Sequence, residues 1–217
     1  MLIEKDDEFD FRATYYNSDG SGGILCGNGA RCIIKFAHLT KKISDGRARF
    51  LFNDVEYSGE VVSEDEIKFY FNPPTKIKSN FKLKEFGQLF TANYVDSGAP
   101  HVVIKINDVL INPKNLNSSY KDLSQFPVFE FGRAIRYHKD FEPIGANVNF
   151  IDVKENCIYI RTYERGVEDE TNACGTGSVA TAIIANIIDG LKPPVTLITK
   201  GNEKLLVDYK IENGERS

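Results

Sequence analysis

No run of apolar residues in this 217-residue chain approaches the roughly 20 that a helix needs to cross a bilayer. Positive charge is not in excess either. A net charge of −4 and a pI near 5.5 give no electrostatic reason for nucleic acid or an anionic membrane as a partner. The opening stretch Met1-Leu2-Ile3-Glu4-Lys5-Asp6-Asp7-Glu8 is acidic and has no signal-peptide apolar segment, so a cytoplasmic, reducing setting is the expectation. Cysteine is sparse: four in a chain of this length, without an export signal, do not make a disulfide framework. The three histidines, His38, His101 and His138, form no ligand-spaced cluster with the cysteines, so no metal site is expected. What remains is ordinary globular composition, long enough for one large domain or two small ones.

Against that plain background one pattern occurs twice. Cys26-Gly27-Asn28-Gly29 stands early in the chain and Cys174-Gly175-Thr176-Gly177 late, each running at once into a helix-like segment. A thiol at the start of a helix has a reason to ionise, because the macrodipole and the unpaired first-turn amides favour an anion. Taken singly, a C-G-x-G element reads more readily as a small buried cysteine beside a turn glycine. Its duplication favours a paired chemical role.

The rest of the chain supplies strands. Residues 9–17 read as a strand that ends in the turn Asn17-Ser18-Asp19-Gly20-Ser21-Gly22-Gly23, and a helix follows over about 30–40. Strands are predicted at 47–53, 55–62 and 66–71, after which Asn72-Pro73-Pro74 breaks the pattern and marks a domain boundary. The second half has strands near 90–96, 101–106, 147–153 and 157–164, a helix around 119–126 and another over 177–189. A closing hairpin over 195–210 turns at Lys200-Gly201-Asn202. In the late helix Val179, Ala180, Ala182, Ile183, Ile184, Ala185, Ile187 and Ile188 leave almost no polar face, so sheet must surround it. The early helix, with Ala30, Ile33, Ile34, Phe36, Ala37 and Leu39, is similar, though Arg31 and Lys35 keep one edge polar. Two halves, each a set of strands around a central helix that starts with cysteine, imply an α+β fold built by internal duplication.

Paired thiols suit one kind of chemistry closely. Inverting an amino-acid α-carbon needs a base on one face and an acid on the other, and a thiolate with a thiol meets that need. Glycines let the backbone approach, and helix-start amides can hold the reacting carboxylate. Cysteines at such positions ionise at roughly 3.5–7.5, which makes a thiolate available near neutral pH.

The flanking residues resemble diaminopimelate epimerase. Asn17-Ser18-Asp19-Gly20-Ser21 with Cys26-Gly27-Asn28-Gly29-Ala30-Arg31-Cys32 is similar to the family's first signature. Arg161-Thr162-Tyr163-Glu164-Arg165-Gly166-Val167-Glu168-Asp169-Glu170-Thr171, running into Ala173-Cys174-Gly175-Thr176-Gly177, is similar to its second. Gly145-Ala146-Asn147-Val148-Asn149-Phe150 and Gly98-Ala99-Pro100-His101 match two further segments, so the resemblance runs from about residue 9 to residue 209. It implies a cofactor-independent epimerase of two pseudo-symmetric domains, each a strand barrel around a central helix. Residues 1–72 would carry Cys26 and residues 73–210 would carry Cys174, with 211–217 as a tail. Cys26 and Cys174 would be the proton-transfer groups for LL-diaminopimelate, a small-molecule substrate. Gly27, Asn28, Gly175 and Thr176 would hold its reacting carboxylate. Asn17, Asn147, Glu164 and Arg165 would bind the rest, Arg165 by its guanidinium fork, and His101 would tune a thiol. A homodimer is also implied.

Outside the family, Asn17 reads as a turn residue and Glu164-Arg165 as a solvated pair. His38 and His138 are assigned to surface or structural roles, Cys32 to the core and Cys157 to strand packing. The chain departs from the family at Ala99, where an Asn commonly precedes Pro-His, and at Ala146, where Thr is common. The family's Gly-x-Gly-Asn-Asp-Phe segment falls ahead of Met1 and its last strands beyond Ser217, so an incomplete first barrel with open edges is expected. The competing readings are a related two-cysteine proline or hydroxyproline racemase, and a non-catalytic remnant of the fold.

Overall fold

The computed structural model describes residues 1–17, 20, 22, 24–155, 157–212 and 215–216. Much of the turn expected over 17–23 therefore lies outside the described residues, as do Asn213, Gly214 and Ser217 of the tail. The chain divides into two compact units, Met1–Asn72 and Pro73–Ser217.

The first unit is a five-stranded sheet with one helix. Its elements are β1 (Leu2–Glu4), β2 (Phe11–Thr14), α1 (Gly27–Leu39), β3 (Arg47–Phe52), β4 (Val55–Val61) and β5 (Ile67–Tyr70), and the strands lie side by side in chain order. Only β2 and β3 run parallel, and α1 is the crossover between them. Ala48, Phe50 and Phe52 alternate inward along β3, with Phe50 stacked on Phe11 at 4.7 Å. Against them α1 buries Ala30, Ile33, Ile34 and Ala37, the i, i+3, i+4, i+7 stripe of a helix covered on one side. The expectation of a helix apolar nearly all round is corrected here. Phe36 and Leu39 are exposed, and so is Cys32, which sits one turn before Phe36 on that outer face rather than in the core.

The second unit holds β6 (Lys76–Glu85), β7 (Gln88–Asp96), β8 (Pro100–Lys105), α2 (Val128–Arg136), β9 (Asn147–Lys154), β10 (Cys157–Glu164), β11 (Asp169–Thr171), α3 (Gly175–Asp189), β12 (Val195–Ile198) and β13 (Lys204–Val207). A two-residue pair, β14 (Ile211–Glu212) and β15 (Glu215–Arg216), follows. The main sheet runs β13-β12-β10-β9-β8-β7-β6, with β11 on the end of β10. Both edge strands, β6 and β13, touch α3, so the sheet wraps around that helix. Side-chain alternation makes two cores. Val95, Val103, Ile151, Ile158 and Ile160 face α3, whereas Val102, Ile104, Val148, Phe150 and Tyr163 face α2. Strand β8 is buried on both faces, as its apolar run Val102-Val103-Ile104 requires.

The two units share a connectivity. In the first, β1 pairs antiparallel with β2, α1 crosses to a parallel β3, and β4 returns antiparallel. In the second, β9 pairs antiparallel with β10, α3 crosses to a parallel β12, and β13 returns antiparallel. The architecture is mixed α+β, and the duplication read from the cysteine elements is present in the topology of the strands around them.

Beyond the short strands β1, β11, β14 and β15, which the sequence reading did not contain, a helix and a strand of the second unit differ from it. The helix expected over 119–126 is a single 3-10 turn, Leu123–Gln125, and the full helix is α2, which starts nine residues later than expected. Pro127 stands just ahead of its first turn, where a missing N–H costs nothing, and Val128, Phe131 and Ile135 supply the apolar stripe. Strand β6 has no counterpart in the reading because it lies at the sheet edge, carries four lysines and is mostly exposed, so no alternation shows. Close packing of α2 yields a test. A Cβ at Gly132 would overlap the Cβ and ring of Tyr163, which the central strand β10 holds in place. Helix propensity favours alanine by at most about 1 kcal/mol, whereas overpacking costs about 1–3 kcal/mol. Gly132→Ala is therefore expected to lower Tm in a thermal melt; an unchanged or raised Tm contradicts this packing.

Candidate active site

In each unit the cysteine is the residue that caps the helix. Cys26 is extended (φ −108°, ψ 99°), and its sulfur accepts the Gly29 amide at 3.3 Å. The loop that delivers it is tied to the sheet by Asn53, which accepts from the Tyr15 amide at 2.8 Å and donates to the Ile24 carbonyl at 3.1 Å. Asn53 itself sits at positive φ, with Asp54, in the two-residue turn between β3 and β4. Beyond the cap, Arg31 folds back to donate to Asn28 Oδ1 at 2.8 Å and to the Gly27 carbonyl at 3.3 Å. Asn17 closes a local turn, its carbonyl accepting from the Gly20 amide at 3.0 Å.

Cys174 repeats the geometry. It is extended (φ −126°, ψ 114°), and its sulfur accepts the Gly177 amide at 3.4 Å. Capping side chains usually present oxygen; sulfur accepts more weakly, but a thiol ionises far more readily than a hydroxyl. Cys174 is only 8% exposed and its surroundings are polar. The Thr176 hydroxyl lies 3.4 Å from the sulfur and 2.8 Å from His101 Nε2. His101 is fully buried on β8, and burial with the nearby Arg165 charge drives its pKa down to about 3, so the ring is neutral. Behind it lie Asn149 of β9, 3.0 Å from His101 Nδ1, and Thr162 of β10, whose hydroxyl donates to Asn149 Oδ1 at 3.0 Å. His101, Asn149 and Thr162 form one polar row across three central strands, on the α3 face. Gly177 is the residue that lets the helix meet this row, because a Cβ there would overlap Asn149 Oδ1 and crowd the His101 ring.

Glu164 and Arg165 part company at the end of β10. Glu164 points to the cysteine: it accepts from the Thr171 hydroxyl at 2.5 Å and is hydrogen-bonded to Cys174, while burial raises its pKa. Arg165 lies among Arg136, Glu168, Asp96 and Tyr94 and donates to the Ile144 carbonyl at 3.2 Å. They do not form the solvated pair their adjacency suggests. Asn147 is engaged at both ends, its Oδ1 accepting the Arg165 amide at 2.9 Å and its Nδ2 donating to the Pro100 carbonyl at 3.0 Å. The second unit thus gathers Cys174, Thr176, His101 and Glu164 at one point, with Asn147 and Arg165 linked to each other. Cys157, half-buried at the start of β10, stands apart. Among the described residues no group of three or more His, Cys, Asp and Glu side chains is arranged to hold a metal ion.

A family model described as diaminopimelate epimerase matches residues 93–216. The diaminopimelate epimerase of Aquifex aeolicus (strain VF5) is 37% identical over 215 residues, covering 96% of this chain and 71% of that protein. The diaminopimelate epimerase of Chlorobaculum tepidum is 34% identical over 212 residues, covering 96% of this chain and 76% of its own length. The chain belongs to the diaminopimelate epimerase family. It is accordingly an isomerase, of the epimerase kind. The fold is shared more widely: a probable proline racemase from Agrobacterium radiobacter K84 superposes with a TM-score of 0.71 at 10% identity, covering 99% of this chain and 68% of that one.

Within the diaminopimelate epimerase family two residues of this chain are buried alanines. Ala99 is 2% exposed, with its carbonyl taking the Ser97 amide at 3.2 Å just before β8, and Ala146 is 0% exposed at the start of β9. Ser97 in turn donates to the Thr176 carbonyl at 3.0 Å, tying that turn to the first turn of α3. The sequence reading passed over Asn149, Thr162, Thr171 and Ser97. The signal that could have found Asn149 and Thr162 is a polar residue on the inward face of an otherwise apolar central strand, which needs a partner when buried; Ser97 in a turn and Thr171 on the short β11 carry no such signal.

The neutral histidine gives a pH test. Unfolded, its ring has the ordinary value of 6.5 and binds a proton that the folded ring, held to about 3, does not. Its contribution is whole above 6.5 and is lost as pH falls toward 3, by up to about 1.4 kcal/mol per pH unit for one proton. In urea unfolding, the loss of stability between neutral and acidic pH should be larger for the wild type than for His101→Asn. Equal losses contradict a neutral buried His101.

Proposed function

We propose that this protein interconverts LL- and meso-diaminopimelate by moving protons to and from one α-carbon, with Cys26 and Cys174 as the two groups. One cysteine, as thiolate, takes the α-proton from one face. The other, as thiol, delivers a proton to the opposite face, so the substrate is inverted and one proton is exchanged for another with no redox change. The reverse reaction exchanges the two roles. Gly27 and Asn28, and Gly175 and Thr176, place backbone amides in the first turns of their helices, and helix-start amides suit the substrate's reacting carboxylate. Charge that develops on that carboxylate as the proton leaves is met by donors already in place, which is where such a site gains most. Arg165 suits the distal carboxylate, since its fork matches two oxygens, and Asn17 and Asn147 complete the substrate contacts. Glu164, beside Cys174, fits the proton chemistry better than it fits a distal ammonium group.

The observation that carries this reading is the repeated cap: two cysteines, each opening a crossover helix and each accepting the amide of the glycine three residues on. Kinship at 34–37% identity to proteins named diaminopimelate epimerase supports the substrate. A cytoplasmic role in lysine and peptidoglycan synthesis, and assembly as a homodimer, go with it.

The test is interconversion under reducing conditions, followed by the LL/meso ratio. Cys26→Ala and Cys174→Ala should each abolish it, while Cys32→Ala and Cys157→Ala should leave it within about twofold, as changes away from the chemistry do. Full activity in either of the first two variants contradicts the assignment.

A further inference from the structure

The polar row behind Cys174 has its proton positions determined, and they lead to one residue that the epimerase reading leaves without a role. Asn149 Nδ2 lies 3.1 Å from the Val102 carbonyl, which can only accept. That contact settles which end of the amide is nitrogen, since the flipped amide would set two carbonyl oxygens against each other. The second hydrogen of the same Nδ2 then faces His101 Nδ1 at 3.0 Å, and Nδ1 must be the ring's acceptor. A neutral imidazole carries one proton, so it sits on Nε2 and is donated to the Thr176 hydroxyl oxygen 2.8 Å away. Because that oxygen is accepting from His101, its own hydrogen is free to turn to its other neighbour, the Cys174 sulfur at 3.4 Å. The Thr162 hydroxyl donates to Asn149 Oδ1 and holds the amide from behind. All of these residues are buried, so water does not offer competing partners.

We infer that Asn149 is a positioning residue for the proton chemistry: by fixing the His101 proton on Nε2 it commits the Thr176 hydroxyl to donate to Cys174. With Glu164 on its other side, the sulfur then accepts from Thr176 O–H and Gly177 N–H, and both stabilise its thiolate form. The wire also explains why Gly177 has no side chain, since a Cβ there would displace the amide that sets the direction. This inference rests on the reading of Cys174 as a proton-transfer group, but it is testable without substrate.

The first measurement is the tautomer of His101 in the intact chain, by ¹⁵N NMR of histidine-labelled protein. Its resonances are assigned by their loss in His101→Asn. A proton on Nε2 is expected, and one on Nδ1 overturns the inference. Asn149→Asp is close to isosteric but turns the donor into an acceptor, so it should move the proton to Nδ1. The second measurement is iodoacetamide alkylation of Cys174 at neutral pH, in a background with the other three cysteines changed to serine. Losing one donor to a charged sulfur is worth roughly tenfold, so Asn149→Asp and Thr176→Val should slow alkylation by about that factor while Thr176→Ser stays within about twofold. Equal rates for Thr176→Val and the unsubstituted background overturn the inference, whatever Asn149→Asp does to stability. Interconversion assayed in parallel separates the two readings. Activity with the proton on Nδ1 refutes the wire and leaves the function standing; a proton on Nε2 in a chain without activity does the reverse.

Discussion

Each unit is organised by one hydrogen bond, from a helix's third-residue amide to the sulfur that opens the helix. In α1 the Gly29 amide meets Cys26, and in α3 the Gly177 amide meets Cys174. A serine or threonine would cap more strongly, so the choice of cysteine gives up some helix stability for a thiol, whose anion is a far better nucleophile and base than a hydroxyl can supply. The crossover connection makes the arrangement possible. A strand, a loop, the cap and a helix returning to a parallel strand place the sulfur at the head of a helix whose far side is held by sheet. Glycine three residues on follows from the same geometry in α3, where the Asn149 amide occupies the space a Cβ would take.

The second unit adds what one cap alone cannot supply. Burying histidine, asparagine and threonine side by side is costly unless every donor and acceptor is met, and a fully met row is rigid. In His101, Asn149 and Thr162 the partners close on one another and on the Val102 carbonyl, so the row has one proton arrangement rather than several. Glu164 approaches the same sulfur from the end of β10, with a raised affinity for its proton because it is buried. Cys174 therefore stands between hydroxyl and amide donors and an acid that holds its proton unusually well.

Much of this was legible where chemistry and periodicity coincide. The glycine-flanked cysteines point to helix starts, the apolar stripe of α3 points to a helix inside a sheet, and the strand from Cys157 to Glu164 begins and ends where its alternation says. Legibility failed where burial is set by neighbours rather than by local pattern. Phe36, Leu39 and Cys32 look like core, yet the first unit's sheet covers only one side of α1. The lysine-rich β6 shows no strand signal because its pairing with β7 alone makes it a strand. Asn149 and Thr162 look like ordinary strand residues until the register puts them opposite each other. Adjacent in sequence, Glu164 and Arg165 look like one feature, but Glu164 ends β10 and Arg165 opens the turn after it, so the two meet different neighbours.

The central claim is that two different sulfurs serve the two faces of one α-carbon. The most direct measurement is where solvent deuterium appears in the first turnovers of LL-diaminopimelate in D₂O. Two separate groups predict deuterium in the meso product while recovered LL substrate stays unlabelled, because the delivering thiol carries solvent deuterium and the receiving thiolate faces only the proton it removes. Deuterium entering recovered LL substrate as fast as the product, or product formed with its original proton retained, would contradict the account.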